Sequence, residues 1–185
     1  MRGYFIDSAK NLLKGEGLKS ISVRNVAHHA GYSYATLYHY FKDLNELIFV
    51  CVEDFQKEAE EFIARKTKKE PSGKARLKAT ILAYAEYFIE YPGVFELFFL
   101  ERMGDIGNKS KTADLIYTFL DRVCEESWND CLKAGDFTPE QVSKKREQLR
   151  FGVMGMLLFY ENRMSPDNYI DFMAQAKNMI DDIVG

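Results

Sequence analysis

Hydrophobic and polar positions alternate along this chain with the period of an α-helix, and no segment shows the strict alternation of a half-buried strand. The first segment runs from Tyr4 to Gly15 and places five apolar residues on one face. A later segment, from Leu44 to Phe62, has an apolar position on every turn. The pattern predicts an all-α protein of about nine helices.

The breaks between these segments predict where individual helices begin and end. Asp43 is placed to cap the long fourth helix, and the Pro-Ser-Gly sequence at 71–73 interrupts the chain after that helix. We further predict a glycine-bearing loop at 103–108 and a single helix from Lys109 to Ala134. The Ser-Pro-Asp sequence at 165–167 is expected to cap the last helix.

Two short helices joined by a glycine turn are predicted between residues 22 and 41. Ser22 and Ser33 stand where a side-chain oxygen caps a helix N-terminus. Gly31 stands between them, where a helix ends in the left-handed conformation that glycine adopts without steric cost. The second helix is expected to bury Leu37. This is the spacing of a helix-turn-helix, although an ordinary helical hairpin with polar caps would give the same pattern.

The outward face of the second helix and its surroundings supply chemistry that suits DNA. Small side chains permit close approach to base edges, while tyrosine, histidine, arginine and lysine contact bases or phosphates. In a helix-turn-helix, the second helix lies in the major groove. The predicted DNA-binding residues are Ser22, Arg24, Ser33, Tyr34, Ala35, Thr36, Tyr38, His39, Tyr40 and Lys42.

A family resemblance is carried by residues 31–41, Gly-Tyr-Ser-Tyr-Ala-Thr-Leu-Tyr-His-Tyr-Phe. This sequence resembles the G-V-S-x-G-T-L-Y-x-Y-F run of the tetracycline-repressor (TetR) family of transcriptional regulators, and the helices before it resemble the same domain. The resemblance implies a three-helix DNA-binding domain at residues 1–48 and a homodimer. It also implies a helical effector-binding and dimerisation domain at residues 49–185.

The chain departs from the family pattern near the start of the fourth helix. Leu44 and Asn45 stand where relatives frequently have Lys-Glu, and in those relatives the lysine often approaches a phosphate. One electrostatic contact is therefore expected to be missing, although Lys42 could supply its charge. Tyr32 replaces a small aliphatic residue and Ala35 replaces a glycine, which are mild changes.

Charge is distributed unevenly between the two predicted domains. The whole chain has a net charge of −3. Residues 1–48 hold six Lys/Arg and four Asp/Glu, a net of +2, and the remainder holds 19 and 24, a net of −5. A mildly basic domain joined to an acidic one suits DNA contact at one end of the protein, with dimerisation supplying much of the affinity.

Cysteine content and hydropathy indicate a reducing compartment. The three cysteines are an odd number, no His/Cys cluster has metal-ligand spacing, and no leader is recognised before the first helix. Buried cysteines are favoured over redox-sensing ones. The longest apolar run, residues 151–160, is about half of what a membrane span requires. We expect a cytoplasmic protein with no metal, no cofactor and no membrane partner.

Enzyme activity is not expected. The three histidines lie in the N-terminal part of the chain, apart from paired carboxylates or a nucleophile. The Pro-Ser-Gly-Lys sequence at 71–74 lacks the leading glycine and the following Ser/Thr of a phosphate loop.

Aromatic residues concentrate in the second predicted domain, where they favour a pocket for a small hydrophobic or aromatic effector. The same side chains could instead fill a core, and for any one of them a core position is the commoner case. The predicted ligand-binding residues are Tyr84, Phe88, Phe95, Phe98, Phe99, Tyr117, Trp128, Phe151 and Met154.

The last two predicted helices carry wide apolar stripes, which favour a homodimer surface over intramolecular packing alone. The stripes comprise Gly152, Val153, Gly155, Met156, Leu157, Tyr160, Tyr169, Phe172, Met173, Ala176, Ile180 and Ile183. A two-fold homodimer presents two recognition helices and so matches a palindromic operator in double-stranded DNA. The function predicted is a repressor that a small-molecule ligand releases from its operator. The alternatives are a ligand-dependent activator and a ligand-binding or scaffold protein with weak or lost DNA binding.

Overall fold

The computed structural model describes residues 1–100 and 109–185, and every regular element in those residues is helical. The predicted all-α fold is therefore confirmed. The helices are α1 Arg2–Glu16, α2 Val23–Ala30, α3 Tyr34–Tyr38, α4 Leu44–Thr67, α5 Lys74–Glu90, α6 Pro92–Phe95, α7 Lys109–Tyr117, α8 Phe119–Ala134, α9 Pro139–Glu161 and α10 Tyr169–Val184. A 3₁₀ turn at Leu18–Ser20 follows α1, and a π-helical turn at Glu96–Leu100 continues α6. Within the described part of the chain, no helix has the length and apolar character needed to cross a membrane.

The chain divides into two compact units. Unit 1 comprises Met1–Glu58 and Tyr91–Tyr117, and unit 2 comprises Ala59–Glu90 and Thr118–Gly185. Helix α4 contributes its residues up to Glu58 to unit 1 and the rest to unit 2. These units are defined by packing, and the functional division at residue 48 stays a prediction.

The core of unit 1 forms where the apolar face of α1 meets α2, α3, α4 and α6. Its side chains exposed by no more than 1% are Phe5, Ala9, Leu13, Val26, Leu37, Phe41, Leu47, Cys51, Val52, Phe55, Val94, Phe95 and Leu97. Helix α6 reaches the backbone of α1 because Gly93 has no side chain. A Cβ at that position would overlap the carbonyl oxygen of Leu13 and lie 3.5 Å from the Cα of Gly17.

The core of unit 2 is built on α5, which packs against α8, α9 and α10. Its most deeply buried side chains, exposed by no more than 2%, are Ala59, Leu77, Ile81, Tyr84, Ala85, Tyr87, Phe88, Phe119, Cys124, Trp128, Cys131, Leu149, Val153, Leu157, Phe172, Ala176, Ile180 and Val184. At Gly152 a Cβ would clash with the side chain of Met179, so this glycine lets α9 and α10 approach closely.

Two predicted helix boundaries are wrong. The segment from Lys109 to Ala134 forms two helices, because the chain breaks at Thr118, where it passes from unit 1 to unit 2. The last helix is capped by Asn168, whose side-chain oxygen accepts a hydrogen bond from the backbone N–H of Asp171 at 2.9 Å. Asparagine is among the best N-cap residues, so the helix begins after Asn168 and not after the Ser-Pro-Asp sequence at 165–167. The loop predicted at 103–108 lies outside the described residues.

Candidate nucleic-acid interface and ligand cleft

The turn between α2 and α3 has the predicted capped geometry. Ser22 accepts a hydrogen bond from the backbone N–H of Asn25 at 3.1 Å, and Ser33 accepts one from that of Thr36 at 3.2 Å. Gly31 ends α2 with φ 75° and ψ 24°, in the left-handed region. The three short-range predictions for this turn are therefore confirmed.

Helix α3 turns one face inward and presents aromatic side chains on the other. Leu37 and Phe41 are exposed by 0% and 1%, whereas Tyr34 and Tyr38 are exposed by 58% and 52%. A helix of five residues is held in place by this burial and by the Ser33 cap. The two tyrosines are therefore presented outward from a fixed position.

The other predicted DNA-binding residues surround this helix. Arg24, Ala35, His39 and Lys42 are exposed, and Thr36 and Tyr40 are half-buried. Thr36 and Ser33 share a hydrogen bond between their hydroxyl oxygens at 2.9 Å, so these two side chains are already engaged with each other. The structure thus brings the predicted set to one turn and its two helices, and their role in DNA binding stays a prediction.

Two carboxylates accept backbone hydrogen bonds at the N-terminus of α4. Asp43 accepts a hydrogen bond from the backbone N–H of Glu46 at 2.9 Å, as the cap prediction requires. The Glu46 side chain in turn accepts from the backbone N–H of Lys42 at 2.7 Å. Two negative charges therefore lie beside the one lysine of this segment, at a helix end that favours anions.

Tyr4 on α1 is an exposed aromatic residue that the prediction left out. It is 59% exposed, and its ring centroid lies 6.1 Å from that of Tyr32. Phe5, the next residue, belongs to the buried face of α1. The helical period therefore put Tyr4 next to that face and gave a sequence signal that could have found it. Tyr4 extends the exposed aromatic surface near the glycine turn.

The nine predicted ligand-binding residues are divided between the two compact units. Phe95 and Phe98 are buried in unit 1, while Tyr84, Phe88 and Trp128 are buried in unit 2. Phe99 in unit 1 and Met154 in unit 2 are half-buried, and Tyr117 and Phe151 are exposed by 55% and 60%. The rings of Tyr84 and Phe88 lie 4.9 Å apart at an angle of 67°, which is the edge-to-face packing of a core.

Unit 2 contains a cleft of about 500 Å³, which none of these nine residues lines. Its walls come from the end of α4, the start of α5 and the middle of α8. Hydroxyl-bearing residues in the walls are Thr67, Thr80 and Ser127, and apolar ones are Ile63, Ala64 and Val123. Charged residues are Lys68, Arg76, Arg122, Glu60 and Glu126. The size is that of a small-molecule site, and the lining is more polar than the predicted one.

Sequence reasoning overlooked this cleft, although a faint signal existed. Arg76 and Thr80 are four residues apart on α5, as are Val123 and Ser127 on α8, so each pair shares a helix face. Nothing in the sequence says that these two faces meet. Only the packing of α5 on α8 places them together.

Large apolar side chains are exposed along α9 and at the start of α10. Phe151, Leu158, Phe159 and Ile170 are exposed by 60%, 41%, 51% and 78%. Several residues of the predicted dimer stripe are instead buried inside unit 2: Val153, Leu157, Phe172, Ala176 and Ile180. Helix α9 is therefore apolar on two faces, one turned into the core and one turned outward.

All three cysteines are buried, as predicted. Burial raises the pKa of the Cys51 thiol to about 12 and also raises that of Cys124. Little thiolate forms at neutral pH under these conditions, which disfavours a redox-sensing role. No group of three metal-ligating side chains occurs among the residues that the structure describes.

Comparison with known proteins relates the N-terminal part of the chain to bacterial regulators and the whole chain to a known fold. Residues 5–51 match the sequence model for bacterial regulatory proteins of the tetR family. No curated protein matches the chain. Among solved structures, the transcriptional regulator FadR from Bacillus subtilis, in complex with stearoyl-CoA, has a TM-score of 0.77 at 16% identity, over 100% of this chain and 98% of that chain. The TetR-family regulator PfmR from Thermus thermophilus has a TM-score of 0.66 at 19% identity, over 100% and 95%.

These likenesses agree with the resemblance seen at residues 31–41. At such low identity the structural matches show a shared fold, while the match at residues 5–51 identifies the N-terminal domain. The resemblance to the TetR family is therefore confirmed, and the chain has the fold of a TetR-family transcriptional regulator.

Proposed function

We propose that this TetR-family protein is a homodimeric, sequence-specific repressor that a small organic ligand releases from a palindromic operator. The observation that carries the proposal is the outward presentation of Tyr34 and Tyr38 on a helix anchored by Leu37 and Phe41. Exposed tyrosines on the second helix of a helix-turn-helix can contact base edges and phosphates in the major groove, which supports the proposal.

Exposed apolar side chains on α9 and α10 support the homodimer. Phe151, Leu158, Phe159 and Ile170 lie on the last two helices and are more than 40% exposed. Large apolar side chains that form one patch on a protein surface mark interaction sites, and the proposal takes these four as parts of such a patch. A two-fold pairing of these helices would present two copies of α3 to a palindrome, one per half-site.

Helix α4 is the element through which a ligand would act. It contributes residues to both units, and the cleft of unit 2 is lined by its last turns. A ligand that binds better to one orientation of α4 shifts the protein toward that orientation and so changes operator affinity. Stearoyl-CoA, which the FadR structure contains, is a suitable first compound to test on this chain.

The first experiment is selection of bound duplexes from a random DNA pool by the purified full chain, followed by binding measurements across a salt series. A palindromic consensus with affinity that falls steeply as salt rises is the expected result, because phosphate contacts release counterions. The oligomeric state is measured in the same buffer by light scattering after gel filtration. A dimer that selects no sequence would contradict the repressor.

A second candidate function is a helical ligand-binding protein with weak or lost DNA affinity. It is favoured by Asp43 and Glu46, whose carboxylates cap α4 beside Lys42 and would face the DNA phosphates there. Replacing Glu46 by Gln is the discriminating variant. If DNA binding of the parent is weak and the variant binds at least about tenfold more tightly at low salt, the second function gains support.

A further inference from the structure

The floor of the cleft in unit 2 carries hydroxyl groups that the fold does not use. Thr80 and Ser127 are each 3% exposed, and both line the cleft. Thr67 donates its hydroxyl to the carbonyl oxygen of Ile63 at 3.0 Å. By contrast, no hydrogen bond joins the hydroxyl of Thr80 or Ser127 to another described residue. Neither hydroxyl is among the described side-chain atoms that are fully buried without a partner, so both retain solvent contact in the cleft and can bond a ligand atom.

Two cations lie at one end of the cleft. The Arg76 guanidinium donates to the carbonyl oxygen of Glu70 from Nη2 at 2.9 Å and from Nε at 3.3 Å. These bonds hold Arg76 at the loop between α4 and α5, which also contains Lys68. The guanidinium keeps further N–H donors, and the N-terminus of α5 adds partial positive charge. This end of the cleft is therefore an environment for an anion.

The two glutamates of the cleft are placed differently. Glu60 lies on α4 about two turns before the helix ends at Thr67, which is about 10 Å along the helix axis from the loop that contains Lys68. Glu126 is four residues after Arg122 on α8, the spacing at which opposite charges compensate each other on one helix face. Ile63, Ala64 and Val123 supply apolar wall. The lining thus combines a cationic, hydroxyl-bearing end with an apolar surface.

We propose that this cleft binds amphipathic organic anions. A carboxylate or phosphate head accepts hydrogen bonds from Thr80 and Ser127 and lies against Lys68 and Arg76, while the apolar part contacts Ile63 and Val123. The assignment names the ligand class for the proposed function and rests on that function only for its regulatory meaning. Binding itself needs no DNA.

The test uses four probes that share an eight-carbon chain and differ in the head: octanoate, octyl phosphate, octanol and octylamine. Each is titrated below its micelle concentration into the full chain without DNA, with isothermal calorimetry as the readout. The two anions are expected to bind saturably and at least about tenfold more tightly than the alcohol and the amine, since charge-assisted hydrogen bonds are the strong ones. Equal or tighter binding of octylamine, or no saturable binding of either anion, overturns the proposal.

Three single-residue variants test whether the anion binds in this cleft. Thr80→Val and Ser127→Ala remove one hydroxyl each with little change of volume, and Lys68→Ala removes a cation outside the helix core. Each variant is expected to lower the affinity for octyl phosphate at least about fivefold, which is the loss expected for one hydrogen bond. Lys69→Ala, which alters an adjacent lysine outside the lining, is the matched control and leaves the affinity unchanged. Wild-type affinity in all three cleft variants means that the anion binds elsewhere and overturns the assignment.

The DNA readout is kept separate from these titrations. If the anions bind but duplex selection fails, the ligand class stands and the repressor does not. If selection succeeds and no anion binds, the ligand class alone is wrong.

Discussion

The helix-turn-helix of unit 1 exposes its aromatic side chains, whereas the α5–α8 layer of unit 2 buries them. Tyr34 and Tyr38 are exposed by 58% and 52%, while Tyr84 and Trp128 are exposed by 2% and 1%. The difference follows from the neighbours of each helix. Helix α3 is five residues long and turns one narrow face inward, but α5 is surrounded by α8, α9 and α10.

The contrast shows which aromatic residues are available to a partner. Burial of an aromatic ring already contributes hydrophobic free energy to folding, so opening a pocket around that ring would lose this stabilisation. An exposed ring makes no such contribution to folding, and a partner that covers the ring gains the hydrophobic free energy on binding. We therefore propose the exposed rings of α3 and α9 as partner surfaces, whereas the buried rings of α5 and α8 hold unit 2 together.

The largest expected effect distinguishes a core aromatic from an exposed one within the predicted ligand set. Phe88→Ala removes a ring exposed by 0% and is expected to lower the free energy of unfolding by about 3–5 kcal/mol. Phe151→Ala, at a ring exposed by 60%, should leave that free energy nearly unchanged at low concentration and weaken the dimer. Urea denaturation and analytical ultracentrifugation measure the two quantities. A small effect of Phe88→Ala would mean that α5 lines a pocket after all.

The second effect concerns the exposed face of α3. Tyr38→Ala is expected to weaken operator binding by about 2–6 kcal/mol, because a dimer loses the contact twice and each contact is worth about 1–3 kcal/mol. Dimerisation and thermal stability should stay nearly intact, because the side chain is half exposed and outside the core. Fluorescence anisotropy on the selected operator gives the affinity. Full-strength binding by the variant would remove α3 from the interface.

The sequence predicted the turn well because its rules are local. Ser22, Gly31 and Ser33 determine the conformation of backbone groups only a few residues away. Their residue types and spacing are therefore enough to predict the turn. The cleft could not be found in that way, because Thr80 and Ser127 lie on different helices, far apart in the sequence, and are brought to one cleft only by packing. The break at Thr118 was missed for a related reason, since the period of apolar residues cannot say which unit each turn joins.

The third effect tests the approach of α6 to α1 within unit 1. Gly93→Ala places a methyl group against the backbone of Leu13 and is expected to cost about 1–3 kcal/mol of unfolding free energy by overpacking. Gly15→Ala is the matched control, because a Cβ there meets no atom within 4 Å and alanine favours a helix. Thermal denaturation gives the melting temperatures of both variants, and that of Gly93→Ala is expected to be the lower. Equal melting temperatures would show that α6 moves away from α1 without cost.

The fourth effect compares equivalent caps in the two regions. Ser33→Ala removes the cap of α3, and Thr138→Ala removes the cap of α9, where Thr138 and Gln141 bond reciprocally. Each is expected to cost about 1 kcal/mol of unfolding free energy. Only Ser33→Ala should also lower operator affinity, because only that cap fixes the recognition helix. Chemical denaturation and anisotropy are measured on both variants, and a similar loss of affinity in Thr138→Ala would contradict a local role for the turn.

The smallest effect concerns pH and the contact of α1 with α4 in unit 1. Burial raises the pKa of Glu58, but hydrogen bonds and charge from Lys10 and Lys14 outweigh it, and the net shift is downward from 4.5. A depressed folded-state pKa gives stability that is present above the unfolded value and lost as pH falls through the folded one. The pair is partly exposed, so the loss is expected to stay below about 1 kcal/mol.

Glu58→Gln removes this pH-dependent contribution, so its stability should fall less than that of the wild type between about pH 6 and pH 3.5. Glu61→Gln, at an exposed glutamate on the same helix, is the control and should keep the wild-type slope. Urea denaturation at each pH gives the slopes. Identical slopes for Glu58→Gln and the wild type would mean that the lysines of α1 contribute no net attraction there, and that apolar burial at Phe5 and Leu13 alone fixes α1 on α4.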